Sequence, residues 1–147
     1  MKSWRLPILS LLLIVLSTGP ALAAALVVEK PAGCDVCGMD RVSLAASRVL
    51  ITYGNQSVVG TCSIHCAHKD VISKKSLVVQ SIQVGDHDTR ELIDAKKAFW
   101  VIGGREPGIM SNTAKSAFAE RKRAEAFIKS KGGHLAGFEE VWKAAVR

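Results

Sequence analysis

Apolar residues fall into short runs along the chain, separated by polar turns that carry glycine. Arg48 to Tyr53 (RVLITY) is rich in branched and aromatic side chains and predicts a strand. Gly54-Asn55-Gln56 predicts a turn, and Ser57 to Gly60 a second short strand. Thr61 or Ser63 can cap a helix running to about Lys75, and Leu77 to Val84 reads as a third strand. Gly85 to Thr89 is a polar loop. Ala98 to Ile102 then reads as an apolar strand, Gly103 to Asn112 as a loop, and Ala117-Phe118 as a short strand. Arg121 to Lys131 predicts an amphipathic helix, because Ala124, Phe127 and Ile128 share one face. Gly132-Gly133 ends it. His134 to Gly137 is extended, and Phe138 to Val146 predicts a terminal helix.

The two halves read alike, as strand, turn, helix and strand. Gly38-Met39 is expected to open the first half and Gly108-Ile109-Met110 the second. The pattern therefore predicts an α+β fold made by internal duplication of a small unit. Phe99, Trp100 and Trp142 read as core. His87 reads as a solvated loop residue, His134 as a surface residue, and Arg121-Lys122-Arg123 as a solvated helix start.

The first residues belong to neither unit. Lys2 and Arg5 make a positive start, and Pro7 to Leu16 is nearly unbroken apolar sequence. Ser17-Thr18-Gly19-Pro20 interrupts it, and Ala21-Leu22-Ala23 has the form of a cleavage site. This is the pattern of a secretory signal peptide over residues 1–23. The apolar run is far short of the roughly 20 residues that a membrane span needs. Residues 24–84 then form a cysteine-containing unit, and 85–147 a second unit with a C-terminal helix. A periplasmic location follows as an expectation, with no membrane tether after cleavage.

The chain has 147 residues, 48% of them hydrophobic, which excludes a large multidomain enzyme and argues for a packed core. Removing the leader takes away Lys2 and Arg5 and lowers the formal net charge from +7 to +5. In a secreted chain this basic excess points to solubility or an acidic partner surface, and no nucleic-acid partner is expected.

Cys34, Cys37, Cys62 and Cys66 all survive cleavage and cluster within one segment. The Cys34/Cys37 spacing lets two thiolates converge on one metal, with Gly38 closing the turn. Cys62 and Cys66, four apart on the predicted helix, share a face, with His65 beside it and His68 further round. A knuckle followed by a helical cysteine pair is how treble-clef-like metal sites are built. Structural disulfides and a thiol–disulfide redox pair at Cys34/Cys37 remain alternatives. Met39 and Met110 both sit at polar, glycine-rich turns, where gap-filling core methionine is less expected. Thiolate and thioether together select Cu(I), whereas four cysteines alone would also suit Zn(II). No Ser/His/Asp order, paired carboxylates or phosphate loop nominates a catalytic centre.

Cys34-Asp35-Val36-Cys37-Gly38-Met39 resembles the C-x-x-C-G-M opening of the NosL family, the nitrous oxide reductase accessory proteins. Ala98 to Gly104 and Pro107-Gly108-Ile109-Met110 resemble its second motif, and Ala117-Phe118 with Ala124 to Phe127 and Gly132-Gly133 its closing helix. Cys62-Ser63-Ile64-His65-Cys66-Ala67 is similar to a segment of one branch of the family. The resemblance implies a fold of two related ββαβ units and a cell-envelope copper chaperone for denitrification. Such a protein would pass Cu(I) to nitrous oxide reductase or its assembly factors and catalyse no reaction. It also implies Met110 as the leading ligand, joined by Cys34 or Cys37, with Met39 next. Many family members carry a lipid on the first cysteine of the mature chain, and no cysteine stands at that position here.

Overall fold

The computed structural model describes residues 28–146, so the expected signal peptide lies outside the described residues. Strand β1 (Val49–Tyr53) alternates as its sequence requires, with Val49, Ile51 and Tyr53 buried. It turns through residues 54–57 into β2 (Val58–Thr61), and helix α1 (Ile64–Ser73) follows. Strand β3 (Val79–Gly85) returns on the other side of β1, and β4 (Leu92–Asp94) adds an outer strand. The resulting antiparallel sheet has the order β2-β1-β3-β4.

The second unit repeats this plan. Strand β5 (Phe99–Ile102) pairs with β6 (Lys115–Phe118), helix α2 (Arg121–Lys131) follows, and β7 (His134–Ala136) pairs on the other side of β5. Its sheet order, β6-β5-β7, corresponds strand for strand to β2-β1-β3. Helix α3 (Phe138–Lys143) closes the chain. The fold is thus α+β with two ββαβ units, as the duplicated pattern predicts.

Several expectations need correction. Gly108-Ile109-Met110 does not open the second unit. It lies in the β5–β6 connection, where its counterpart is the turn at residues 54–57, because the unit already begins at β5. Helix α1 stops at Ser73 rather than Lys75, since the Lys74 N–H bonds back to the Asp70 and Val71 carbonyls and its backbone leaves helical geometry. Helix α3 ends at Lys143 rather than Val146. Strand β4 is not predicted by the hydrophobic pattern, because three residues are too few to show alternation.

One core joins the two sheets. Val49, Ile51, Tyr53 and Val84 of the first pack in the same cluster as Trp100 and Ile102 of the second. Val141 and Ala145, in and just after α3, complete it. The Trp100 indole N–H donates to the Ala95 carbonyl at 2.8 Å. The Tyr53 hydroxyl donates to Asp70 Oδ2 at 2.6 Å, so neither buried polar group lacks a partner. The opposite face of β5 presents Val101 to a second cluster, with Phe118, Ala124 and Phe127, which seats α2. Among the described residues no helix is long and apolar enough to cross a membrane.

Candidate metal centre

Residues 33–40 form a tight knuckle before β1. The Gly38 N–H donates to the Cys34 carbonyl and the Cys34 N–H to the Met39 carbonyl, both at 2.8 Å. Gly38 sits at φ +79, a conformation that a side chain would disfavour. Two bonds fasten the knuckle to β2: Asp35 N–H to the Gly60 carbonyl (2.9 Å) and Gly60 N–H to Asp35 Oδ2 (2.8 Å).

Arg41 anchors the knuckle from behind. Its guanidinium is fully buried and donates to the carbonyls of Glu29, Pro31 and Thr61 and to the Glu29 carboxylate. Arg48 reaches the same carboxylate and the carbonyls of Ala45 and Arg90. These bonds offset the cost of burying two cations. A Cβ on Gly60 would lie 2.5 Å from Arg41 Nη1, so glycine is required there for the guanidinium to fit. The bonds hold the lead-in, the knuckle and β2 in one arrangement.

That arrangement carries the chemistry. Cys34 and Cys37 come from the knuckle, Cys62 from the end of β2, and Cys66 from the first turn of α1. Cys62 is therefore not on the helix, as its spacing from Cys66 suggested. Ser63 occupies the N-cap position between them. All four sulfurs lie within 4.8 Å of one another. Cys37 Sγ is 3.5 Å from Cys62 Sγ, which is 3.7 Å from Cys66 Sγ. A tetrahedral site with metal–sulfur bonds of about 2.3 Å has edges of about 3.8 Å, so the spacing suits one ion at the centre. Cys34 is 4% exposed and Cys62 and Cys66 are fully buried, covered by Leu44 and Ile109, while Cys37 reaches solvent. A knuckle, a hairpin and a helix start that together present four cysteines make the treble-clef-like arrangement expected from the motif.

The thiols influence one another's charge. The sulfur–sulfur contact with Cys66 is the main cause that pulls the Cys62 thiol down to about 5. The same contact, with burial, holds the Cys66 thiol far above its ordinary range. Burial pushes the Cys37 thiol up. Packed thiols of this kind release their protons when a cation takes their place.

The NosL family model matches residues 25–146. The chain belongs to the NosL family. Its fold is similar to that of the copper chaperone NosL from Shewanella denitrificans, with a TM-score of 0.63 at 23% sequence identity. The alignment covers 82% of this chain and 96% of that one. No curated protein matches the sequence significantly.

The other sulfur and imidazole groups of this NosL-family chain lie differently. Met39 and Met110 are exposed by 39% and 41%, outside the buried sulfur group. Met39 is part of the knuckle, and Met110 follows Ile109, one of the two residues covering the cysteines. Met110 has φ +58, a strained value for a residue with a side chain. His65 is engaged elsewhere, with Nδ1 2.8 Å from the Ala145 carbonyl. His68 packs on Trp142. His87 is more than a solvated loop residue: its ring packs against Phe118 and Phe127, and its nitrogens face Asp88 and Glu106. His134 is at the surface beside Glu140. The sequence pattern does not single out the supporting residues Glu29, Arg41, Leu44 and Ile109. Nothing local marks them, because their roles depend on contacts between distant segments.

Proposed function

We propose that this chain is a Cu(I)-binding metallochaperone of the periplasm that hands its metal to a recipient copper protein. Nitrous oxide reductase or one of its assembly factors is the recipient that fits family membership best. The observation that carries the reading is the group of four converging sulfurs, three on buried residues and the fourth, Cys37, exposed. Thiolates are soft ligands that favour Cu(I), and the enclosure protects an easily oxidised ion. Cys34, Cys37, Cys62 and Cys66 would hold the metal. The exposed thioethers of Met39 and Met110 would receive or release it, since they are neutral and bind more loosely. Transfer would then proceed by ligand exchange at the exposed rim, with no covalent change to a substrate.

The experiment is an anaerobic Cu(I) titration of the reduced protein against a competing chelator. Cys62→Ser is expected to weaken binding by at least about tenfold, a loss of about 1.4 kcal/mol. A Met39/Met110 double alanine variant is expected to bind nearly as tightly at equilibrium but to transfer copper to an acceptor chelator more slowly. Equal affinity in wild type and Cys62→Ser would remove the cysteine cage from the proposal.

The near-tetrahedral sulfur spacing supports a second reading, a structural Zn(II) site. That reading expects stoichiometric zinc in the isolated protein and loss of folding when the zinc is stripped. The chaperone reading expects a folded apo-protein, because the core shared by the two sheets does not depend on the cysteines.

A further inference from the structure

We infer that the sulfur cage is also a redox-active dithiol in which Cys37 and Cys62 form a reversible disulfide that excludes the metal. The inference rests on the cage and holds whichever soft ion the cage takes. The pairing differs from the neighbouring Cys34/Cys37 pair that the sequence motif suggests. Three of the four sulfurs belong to buried residues and only Cys37 is exposed, so an external oxidant can reach only that thiol. Cys62 Sγ lies 3.5 Å away and would need to move closer by about 1.5 Å to reach bonding distance. The two residues lie on different segments, the knuckle and the end of β2. Closing the bond therefore moves a surface turn held by hydrogen bonds rather than the shared core. Cys62 and Cys66 are 3.7 Å apart, but both are fully buried and neither can start the exchange.

The step is thiol–disulfide exchange with an external disulfide. Cys37, as thiolate after losing its proton to water, attacks one sulfur of that disulfide and expels the other as a thiolate. Cys62, also having lost its proton, attacks Cys37 Sγ in the mixed disulfide and expels the second external thiolate. The two released thiolates take up two protons. Two electrons pass from the cysteines to the external disulfide, which is reduced to two thiols. Cys34 and Cys66 remain as thiols, leaving the cage half its ligands. Conversely, a metal held by both thiolates draws on the electron density that would attack the disulfide and so slows the exchange. Loading and oxidation are therefore mutually exclusive states of one site.

The test exposes reduced apo-protein and Cu(I)-loaded protein to oxidised glutathione without oxygen, followed by acid quenching, alkylation and fragmentation mass spectrometry. In the apo-protein one disulfide joining Cys37 to Cys62 is expected, with Cys34 and Cys66 alkylated. A Cys34→Ser/Cys66→Ser variant should keep the bond, and Cys37→Ser should slow oxidation by at least about tenfold. Copper loading should slow it to a similar degree. The inference is overturned if all four thiols of the wild type stay alkylatable in excess oxidant, if fragmentation shows another pairing, or if Cys37→Ser oxidises at the wild-type rate. Because the wild-type fragmentation needs no variant, a misfolded substitution does not weaken the result. Failure of reduced wild-type protein to bind copper would overturn the proposed function alone, and the disulfide mapping would still decide this inference.

Discussion

At the scale of single residues, Asp86 shows how much a side chain in an unremarkable polar loop can do. It is 1% exposed and accepts four hydrogen bonds. Oδ1 takes the Asp88 and Thr89 N–H groups at 2.9 and 2.8 Å and the Thr89 hydroxyl at 3.1 Å. Oδ2 takes the Ala119 N–H at 2.6 Å, tying the loop after β3 to the start of α2. Burial pushes the carboxyl up, but the bonds from Thr89, Ala119 and Asp88 outweigh it and hold it below its ordinary 3.8. The folded state therefore binds this proton less tightly than the unfolded state. The stability it contributes is present in full above about 3.8 and is lost as pH falls through the depressed folded value. Asp86→Ala is expected to cost about 2–4 kcal/mol at pH 7, because it leaves buried backbone donors unpaired. Urea unfolding should show the gap from wild type narrowing below about pH 3.8, and a gap constant down to about pH 2 would count against this account. The four cysteines, by contrast, are legible as a cluster from sequence because their spacing is itself a chemical signal. Asp86 is not, since nothing in a run of polar residues shows that one will be buried.

At the scale of elements, α2 is readable to its ends. Its apolar residues keep helical spacing, and Gly132-Gly133 provide the stop. The structure adds why glycine is needed at the second position. Gly133 has φ +90, and a Cβ there would lie 2.8 Å from the Ile102 carbonyl oxygen and 3.0 Å from Val101 Cγ1. Gly133→Ala is thus expected to cost about 1–3 kcal/mol through backbone strain alone, with steric overlap adding to it. At Gly137, four residues on, an added methyl would meet nothing within 4 Å, and φ is negative. Gly137→Ala should change stability little or raise it slightly. Thermal melting of the two variants side by side checks this, and equal losses would refute the steric reading. Strand β4 and the cysteine knuckle contrast in the same way. The knuckle is set by local turn chemistry, whereas β4 exists only because β3 offers a free edge to pair with.

At the scale of the whole molecule, the duplicated units do not stand apart. Trp100 on β5 packs in one cluster with Val49 and Ile51 on β1, and His65 of α1 bonds the Ala145 carbonyl beyond α3. Two small sheets that share a core should unfold together. Trp100→Ala is expected to cost about 3–5 kcal/mol, the range for a large buried aromatic, while leaving a single transition. Circular dichroism, together with hydrogen exchange at amides of β1 and β5, would check this. Separate midpoints for the two sheets would show that the units fold independently.

By itself, the sequence determined the repeated ββαβ plan, the amphipathic helix with its glycine stop, and the presence of four clustered cysteines with Met39 and Met110 at turns. These are local properties, carried by periodicity, turn chemistry and motif spacing within a few residues. Tertiary structure alone decided that Cys62 leaves the helix and approaches Cys37, that only Cys37 of the four meets solvent, and that both methionines stay outside the buried sulfur group. It also decided that Arg41 and Glu29 brace the knuckle. Each of these depends on which distant segments pack together. Burial and cross-chain hydrogen bonds belong to the assembled core, and no stretch of sequence contains them in advance.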